Sequence, residues 1–162
     1  MAGSSDFEDW YAAQHRRLFT SLFVLSGDWD VASDATDEAF ARALQHWARV
    51  REMTSPAGWV YRVGVNVVRR GARRRAFERR VLPRLHVDAP APAPAGEVWD
   101  LVRALPDRQR TAVVLRYVAD LEERDIAQVM GVARGTVAST LSDARRSLAV
   151  VLTESEIVEE SS

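Results

Sequence analysis

Residues 62–80, RVGVNVVRRGARRRAFERR, hold eight arginines and one acid, in a chain of 162 residues whose formal net charge is −1. All 22 basic residues are arginine, so every cation is a planar fork suited to phosphate or carboxylate. Bond-making chemistry is thin by comparison. His15, His46 and His86 are far apart with no metal spacing, and neither a phosphate loop nor a nucleophile elbow occurs. The residues present bind charged partners, so no catalytic residue, no metal and no cofactor is expected.

Charge is strongly patterned along the chain. Residues 1–41 carry eight acids and two arginines, a balance of −6; residues 42–84 carry twelve arginines and two acids, a balance of +10. Residues 85–152 come to −1, with eight arginines against nine acids, and the end from 153 onward adds four glutamates. Separate blocks of opposite sign imply separate surfaces with separate partners.

The rest of the composition bounds the class. An apolar content of 47% excludes global disorder. No run approaches the roughly eighteen uncharged apolar residues of a membrane helix, and the opening MAGSSDFEDW lacks the layout of a secretory signal. With no cysteine there is no disulfide and no thiolate metal site. A cytoplasmic protein that makes no membrane contact is expected.

The elements that must position these residues read as all-α, two small helical domains joined by a Pro/Ala-rich linker. The linker is residues 83–96, PRLHVDAPAPAPAG. Its prolines favour extended polyproline II, and fourteen such residues span ~43 Å. One turn of B-DNA is about 34 Å, so the modules can touch separate places on one duplex. In residues 1–82 the pattern predicts three helices. Phe7, Trp10, Tyr11, Gln14, Leu18, Leu22 and Leu25 mark the first, and Gly27–Asp28 is its C-cap followed by the next N-cap. Phe40, Ala43, Leu44 and Trp47 mark a second, running to about Val50. Ser55–Pro56 starts a third, with Trp59, Val63 and Val67 inward. Trp47, Trp59 and Tyr61 are expected in the core.

Residues 97–152 are helical too, with Val98, Leu101, Val102 and Leu105 apolar in the first helix, a restart at Pro106–Asp107, and a last helix from about Arg134 to Leu152. Residues 120–148, DLEERDIAQVMGVARGTVASTLSDARRSL, read as a helix-turn-helix. Ala127 is the small residue where two helices cross and Gly131 the turn residue. Ile126, Val129, Val132, Val137 and Leu141 clamp both helices to the core. The end, 153–162, TESEIVEESS, is expected to be a disordered acidic tail able to compete with DNA for the arginines.

Over about residues 7–152 the chain resembles bacterial RNA polymerase sigma factors of the sigma-70 class, in the short extracytoplasmic-function (ECF) form. In the first domain the resemblance rests on Phe7 to Leu25 with Gly27–Asp28, on DATDEAFARALQHW and on SPAGWVYRVGVNVVRR. In the second it rests on LPDRQRTAVVLRYVADLEERDIAQVMGVARGTVAS. The resemblance implies that residues 1–82 dock on core RNA polymerase and read the minus-ten promoter element. Asp34, Asp37, Glu38, Phe40 and Arg42 would meet the clamp helices of the largest subunit. Helix three and the loop before it would open that element and hold its non-template strand. Arg62, Arg69, Arg70, Arg73, Arg74 and Arg75 would form a cationic track, Asn66 would bond a base edge, and the loop with Arg51, Thr54 and Ser55 would pocket a flipped base. His15 matches a packing or capping histidine of the family's first helix.

Residues 97–152 would read the minus-thirty-five element as duplex and meet the flap of the second-largest subunit. Arg134, Thr136, Ser139, Thr140, Arg145 and Arg146 are the implied contacts. Here the chain departs from the family, whose run is close to GTVKSRLSRAR. Ala138, Thr140 and Asp143 stand at positions that are usually Lys or Arg. A weak or unusual minus-thirty-five contact is therefore expected. The resemblance also implies an anti-sigma partner and a monomer when free. Two other readings stay open: a free-standing dimeric helix-turn-helix regulator, and a polymerase-binding adaptor that has lost promoter reading. Binding to promoter DNA without polymerase would mark the first; polymerase binding without initiation would mark the second.

Overall fold

Gly27 ends the first helix in the left-handed region, φ 66°, where a side chain is strained. Asp28 then accepts a hydrogen bond from Val31 N at 3.0 Å and caps the second helix. The expected cap pair is thus in place. A computed structural model describes the backbone of residues 2–81 and 96–160 and the side chains of 5–81 and 96–150. The linker lies almost wholly outside the described residues. The described residues form helices and contain no strand. They fall into two units, Met1–Ala93 and Pro94–Ser162, each with its own core.

In the first unit α1 is Ala2–Ser26, α2 Trp29–Gln45, α3 Trp47–Val50 and α4 Pro56–Val81. The core face of α2 is small: Ala32, Ala35, Thr36, Ala39 and Ala43 are buried, with Phe40 the only large residue among them. Such a face lets α1 and α4 approach closely. The expected second helix breaks at His46, φ −115° and ψ 21°. That break swings Trp47 into an aromatic cluster, its ring 5.1 Å from Phe7 and 4.9 Å from Trp10. Leu44 does not share that core and is 56% exposed. Phe40 meets the same cluster through Trp10 and Tyr11, and His15 packs beside Tyr11 and Phe40.

α4 begins as expected, with Ser55 Oγ accepting from Gly58 N at 2.9 Å. Its inward face differs from the expected one. Gly58, Val60, Tyr61, Gly64, Val65 and Val68 are buried, whereas Trp59, Val63 and Val67 are only half-buried. Glycine carries no apolar signal, yet at Gly64 leucine side chains of α1 press against the backbone of α4. A Cβ there would lie 2.8 Å from Leu22 Cδ1.

Tyr61 is fully buried, and no well-formed hydrogen bond reaches its Oη. Burial pushes its phenol from 10.0 up to about 12, eased only in part by the nearby Ser21 hydroxyl and Arg17 charge. Ionisation is thus harder in the folded state. Stability from this group is full below about pH 10 and is lost as pH rises toward 12, by about 2 kcal/mol. Tyr61→Phe keeps the packing and removes an unpartnered hydroxyl. It should be neutral or stabilising by about 1 kcal/mol at pH 7, and should flatten the alkaline limb in denaturant titrations. An unchanged alkaline loss in the variant would contradict this assignment.

In the second unit α5 is Glu97–Ala104, α6 Asp107–Val113, α7 Glu123–Met130 and α8 Arg134–Glu160. After α6 the chain widens into a π turn, Val114–Val118, closed by Ala119 N to Val114 O at 3.0 Å. The core holds Val102, Leu105, Val113, Val114, Leu115, Ile126, Val137 and Leu141. Val98 is not part of it, at 68% exposed. The tail expectation needs correction: the backbone of α8 continues through Glu160 instead of ending near Leu152. Nothing from 153 to 160 stops it, since the segment has no Gly or Pro and is rich in glutamate, a good helix former.

Candidate nucleic-acid interface

Side chains on a helix advance about 100° per residue, so an arginine-rich helix cannot aim all its cations one way. Along α4, Trp59, Arg62, Val63, Asn66, Arg70 and Arg73 recur at spacings of three and four and share a face. Together with Arg42 from α2 they line a groove of about 420 Å³. Arg62, Asn66, Arg70 and Arg73 are exposed there. The groove offers three guanidinium forks and an amide from one helix, a fourth fork from another, and the half-buried Trp59 ring as a flat apolar surface. A backbone phosphate and an unstacked base fit that combination.

The expected six-arginine track is therefore divided. Arg74 turns out of the groove to Glu78 at 2.9 Å. Arg75 faces the opposite way, its Nη1 3.4 Å from Asp28 Oδ2 at the cap of α2. Arg69 is half-buried and does not line the groove. In the preceding loop Arg51 pairs with Asp6 at 3.2 Å and Glu52 at 3.3 Å, Thr54 is exposed, and Ser55 is used as the helix cap. Trp59, Val63 and Arg42 are groove residues that the sequence reading put elsewhere. The spacing from Arg62 and Asn66 contained the signal for the first two. Arg42 is brought in only by the crossing of α2 over α4.

The proposed polymerase-docking residues separate in the same way. Asp34 and Asp37 are exposed on α2, and neither pairs with a cation among the described residues. Phe40 is not on that surface: it is 4% exposed, its ring 4.7 Å from that of Tyr11. Glu38 is half-buried, contacts Arg42, and lies 3.7 Å from Arg70. Beside Asp37 an apolar cleft of about 290 Å³ is lined by His15, Phe19 and Trp29 among others. Trp29, which the sequence reading did not single out, stands edge-on to Phe19 at 4.6 Å and is half exposed.

In the second unit Gly131 caps α7 in the left-handed region, φ 66°. Ile126, Ala127, Val129, Val137 and Leu141 are buried and Val132 half-buried, so α7 and α8 form the expected helix-turn-helix. The three arginines on the outer face of α8 each have a neighbour as partner. Arg134 lies 3.8 Å from Glu123, Arg146 lies 3.7 Å from Asp143, and Arg145 Nε donates to Tyr117 Oη at 2.9 Å. Ser139 Oγ donates back to Thr136 O at 3.0 Å. Thr136 and Thr140 are half-buried, while Ala138 and Asp143 are exposed.

Among the described residues no group of acids and histidines could hold a metal ion, and no helix is long and apolar enough to cross a membrane.

Residues 10–78 match the family described as sigma-70 region 2, and residues 95–148 match sigma-70, region 4. The chain is 27% identical over 141 residues to the RNA polymerase sigma-E factor of Streptomyces coelicolor, covering 84% of this chain and 80% of that one. It is 29% identical over 150 residues to the ECF RNA polymerase sigma factor SigM of Mycobacterium tuberculosis, covering 90% and 76%. In fold it is similar to the sigma factor RpoE of Bartonella quintana, solved with the anti-sigma factor NepR. The TM-score is 0.79 at 22% identity, over 91% of this chain and 97% of the other. CnrH, solved with the cytosolic domain of CnrY, gives a TM-score of 0.66 at 19% identity, over 93% and 90%.

Proposed function

This chain belongs to the sigma-70 family, in its extracytoplasmic-function form, and on that premise we propose how its surfaces divide the work of initiation. As a sigma factor it directs RNA polymerase to promoters. The exposed acids Asp34 and Asp37 of α2, with Glu38, dock on the clamp helices of the polymerase's largest subunit. The groove on α4 then takes the non-template strand of the minus-ten element. Arg62, Arg70 and Arg73 hold phosphates, and Asn66 bonds the edge of an unstacked base. Flipping a base costs a few kcal/mol, which the groove offsets jointly with polymerase. The second unit meets the minus-thirty-five duplex and the flap of the second-largest subunit. The sigma factor RpoE, similar in fold and solved with the anti-sigma factor NepR, favours an anti-sigma partner for this chain too. Its part is recognition and strand opening; the bond-making chemistry is the polymerase's.

The observation that carries this reading is the groove itself: Arg42, Arg62, Asn66, Arg70 and Arg73 meet around one trough beside an acidic helix face. Reconstitution with core polymerase tests it. Run-off transcription from a genomic promoter library should give discrete start sites. Polymerase binding without initiation would favour the adaptor reading instead.

The depleted recognition helix leads to a second expectation. Asp143 is exposed and sits against Arg146, so it both repels phosphate and occupies a cation. Asp143→Arg should strengthen holoenzyme binding to the upstream duplex by about tenfold, because the new fork can hold a phosphate where the carboxylate repelled one. The measurement is footprinting of the minus-thirty-five region. A variant that leaves protection there unchanged would mean α8 does not face DNA.

A further inference from the structure

Glu38 sits where the two proposed surfaces meet. It shares the α2 helix with Asp34 and Asp37, which face outward. Its own carboxylate contacts the Arg42 guanidinium and lies 3.7 Å from that of Arg70. Both arginines line the α4 groove. The other acids paired to arginines of α4, Asp28 with Arg75 and Glu78 with Arg74, hold cations that do not line it. Among the described ion pairs, Glu38 alone ties up forks inside the groove.

A carboxylate and a phosphate oxygen compete for the same guanidinium N–H groups. While Glu38 holds Arg42 and Arg70, those forks are occupied and the groove carries one negative charge beside its cations. A cationic helix arriving on α2 offers Glu38 another partner. We propose that Glu38 is an electrostatic catch on the groove: in the free chain it restrains Arg42 and Arg70, and polymerase docking on α2 draws it off and releases both to single-stranded DNA. This rests on the sigma reading of the two surfaces and adds the coupling between them. The paired side chains are 39–56% exposed to solvent, so each pair is weak and salt-sensitive. A weak catch suits the task, because docking can release it at little cost.

The test is binding of the free full-length chain to a fluorescent single strand of about a dozen nucleotides at low salt, read by anisotropy. Glu38→Gln should bind about three- to tenfold more tightly than wild type. Glu78→Gln makes the same change in net charge outside the groove and should shift binding less than about twofold. In an Arg42→Gln/Arg70→Gln background, Glu38→Gln should bring no gain. With saturating core polymerase the advantage of Glu38→Gln should vanish, since wild-type Glu38 is then engaged elsewhere. Equal binding by wild type and Glu38→Gln overturns the catch, as does no measurable binding by either. An equal gain in Glu78→Gln, or a gain that survives loss of both arginines, also overturns it. An undiminished advantage in holoenzyme overturns the release step. The sigma reading fails separately: wild-type chain with core polymerase would then give no discrete start site, whatever Glu38→Gln does.

Discussion

Replacing Arg62, Arg70 and Arg73 together by glutamine should reduce open-complex formation by about a thousandfold while the chain still assembles with core polymerase. The three guanidinium groups are exposed on one face of α4 and line the same groove. Each charged hydrogen bond to a phosphate contributes about 1.5 kcal/mol at the low end of the usual range, so losing all three removes about 4.5 kcal/mol. At about 1.4 kcal/mol per factor of ten, that is near a thousandfold. Salt dependence should fall too, its slope dropping by about 2 for three single-strand phosphate contacts. Permanganate reactivity of unpaired thymines measures the opening, and co-purification measures assembly. The control removes Arg74, Arg79 and Arg80, the same charge from the same helix at residues that do not line the groove. It should cost about tenfold or less. Equal losses from the two triple variants would mean that net charge, not the groove, does the work.

That contrast rests on geometry the sequence could show only in part. The helix-turn-helix was legible because its signals are local: Gly131 must turn, Ala127 must be small, and the apolar clamp recurs at fixed spacing. The Gly27–Asp28 junction was legible for the same reason. The arginine cluster announced phosphate binding, but not which forks cooperate. Arg73, Arg74 and Arg75 are consecutive and so point three ways, one into the groove, one to Glu78 and one to Asp28. Arg42 joins the groove through a helix crossing that no local pattern encodes. The inward face of α4 was misread because apolar counting rewards Trp59 and Val63 and ignores glycine. Leu44 failed likewise: its stripe ended at the break before Trp47, which the aromatic cluster dictates. The errors thus lie where a small residue or a distant contact decides the packing.

Gly64 is the residue on which that packing turns, and Gly64→Val should destabilise the first unit by about 3 kcal/mol. A Cβ at this position would lie 2.8 Å from Leu22 Cδ1 and 3.3 Å from Cδ2, and Leu22 is fully buried. Leu18 Cδ1 stands 3.6 Å away, so Leu22 has little room to yield. Relief from glycine's poor helix propensity returns less than about 1 kcal/mol. For a unit of this size the melting temperature should fall by about 10–20 °C. Leu22→Ala distinguishes a clash from general damage. Alone it leaves a cavity and destabilises by about 2–5 kcal/mol. Combined with Gly64→Val it makes room for the new methyl groups, so the pair should be less destabilised than the sum by about 1–3 kcal/mol. Strict additivity would show that Gly64 and Leu22 do not meet as described. Because Gly64 lies on the side of α4 opposite Arg62 and Arg73, any tilt that accommodates valine also moves those forks relative to Arg42. Single-strand binding by the folded variant should therefore weaken at temperatures well below its melt, and recover with Leu22→Ala.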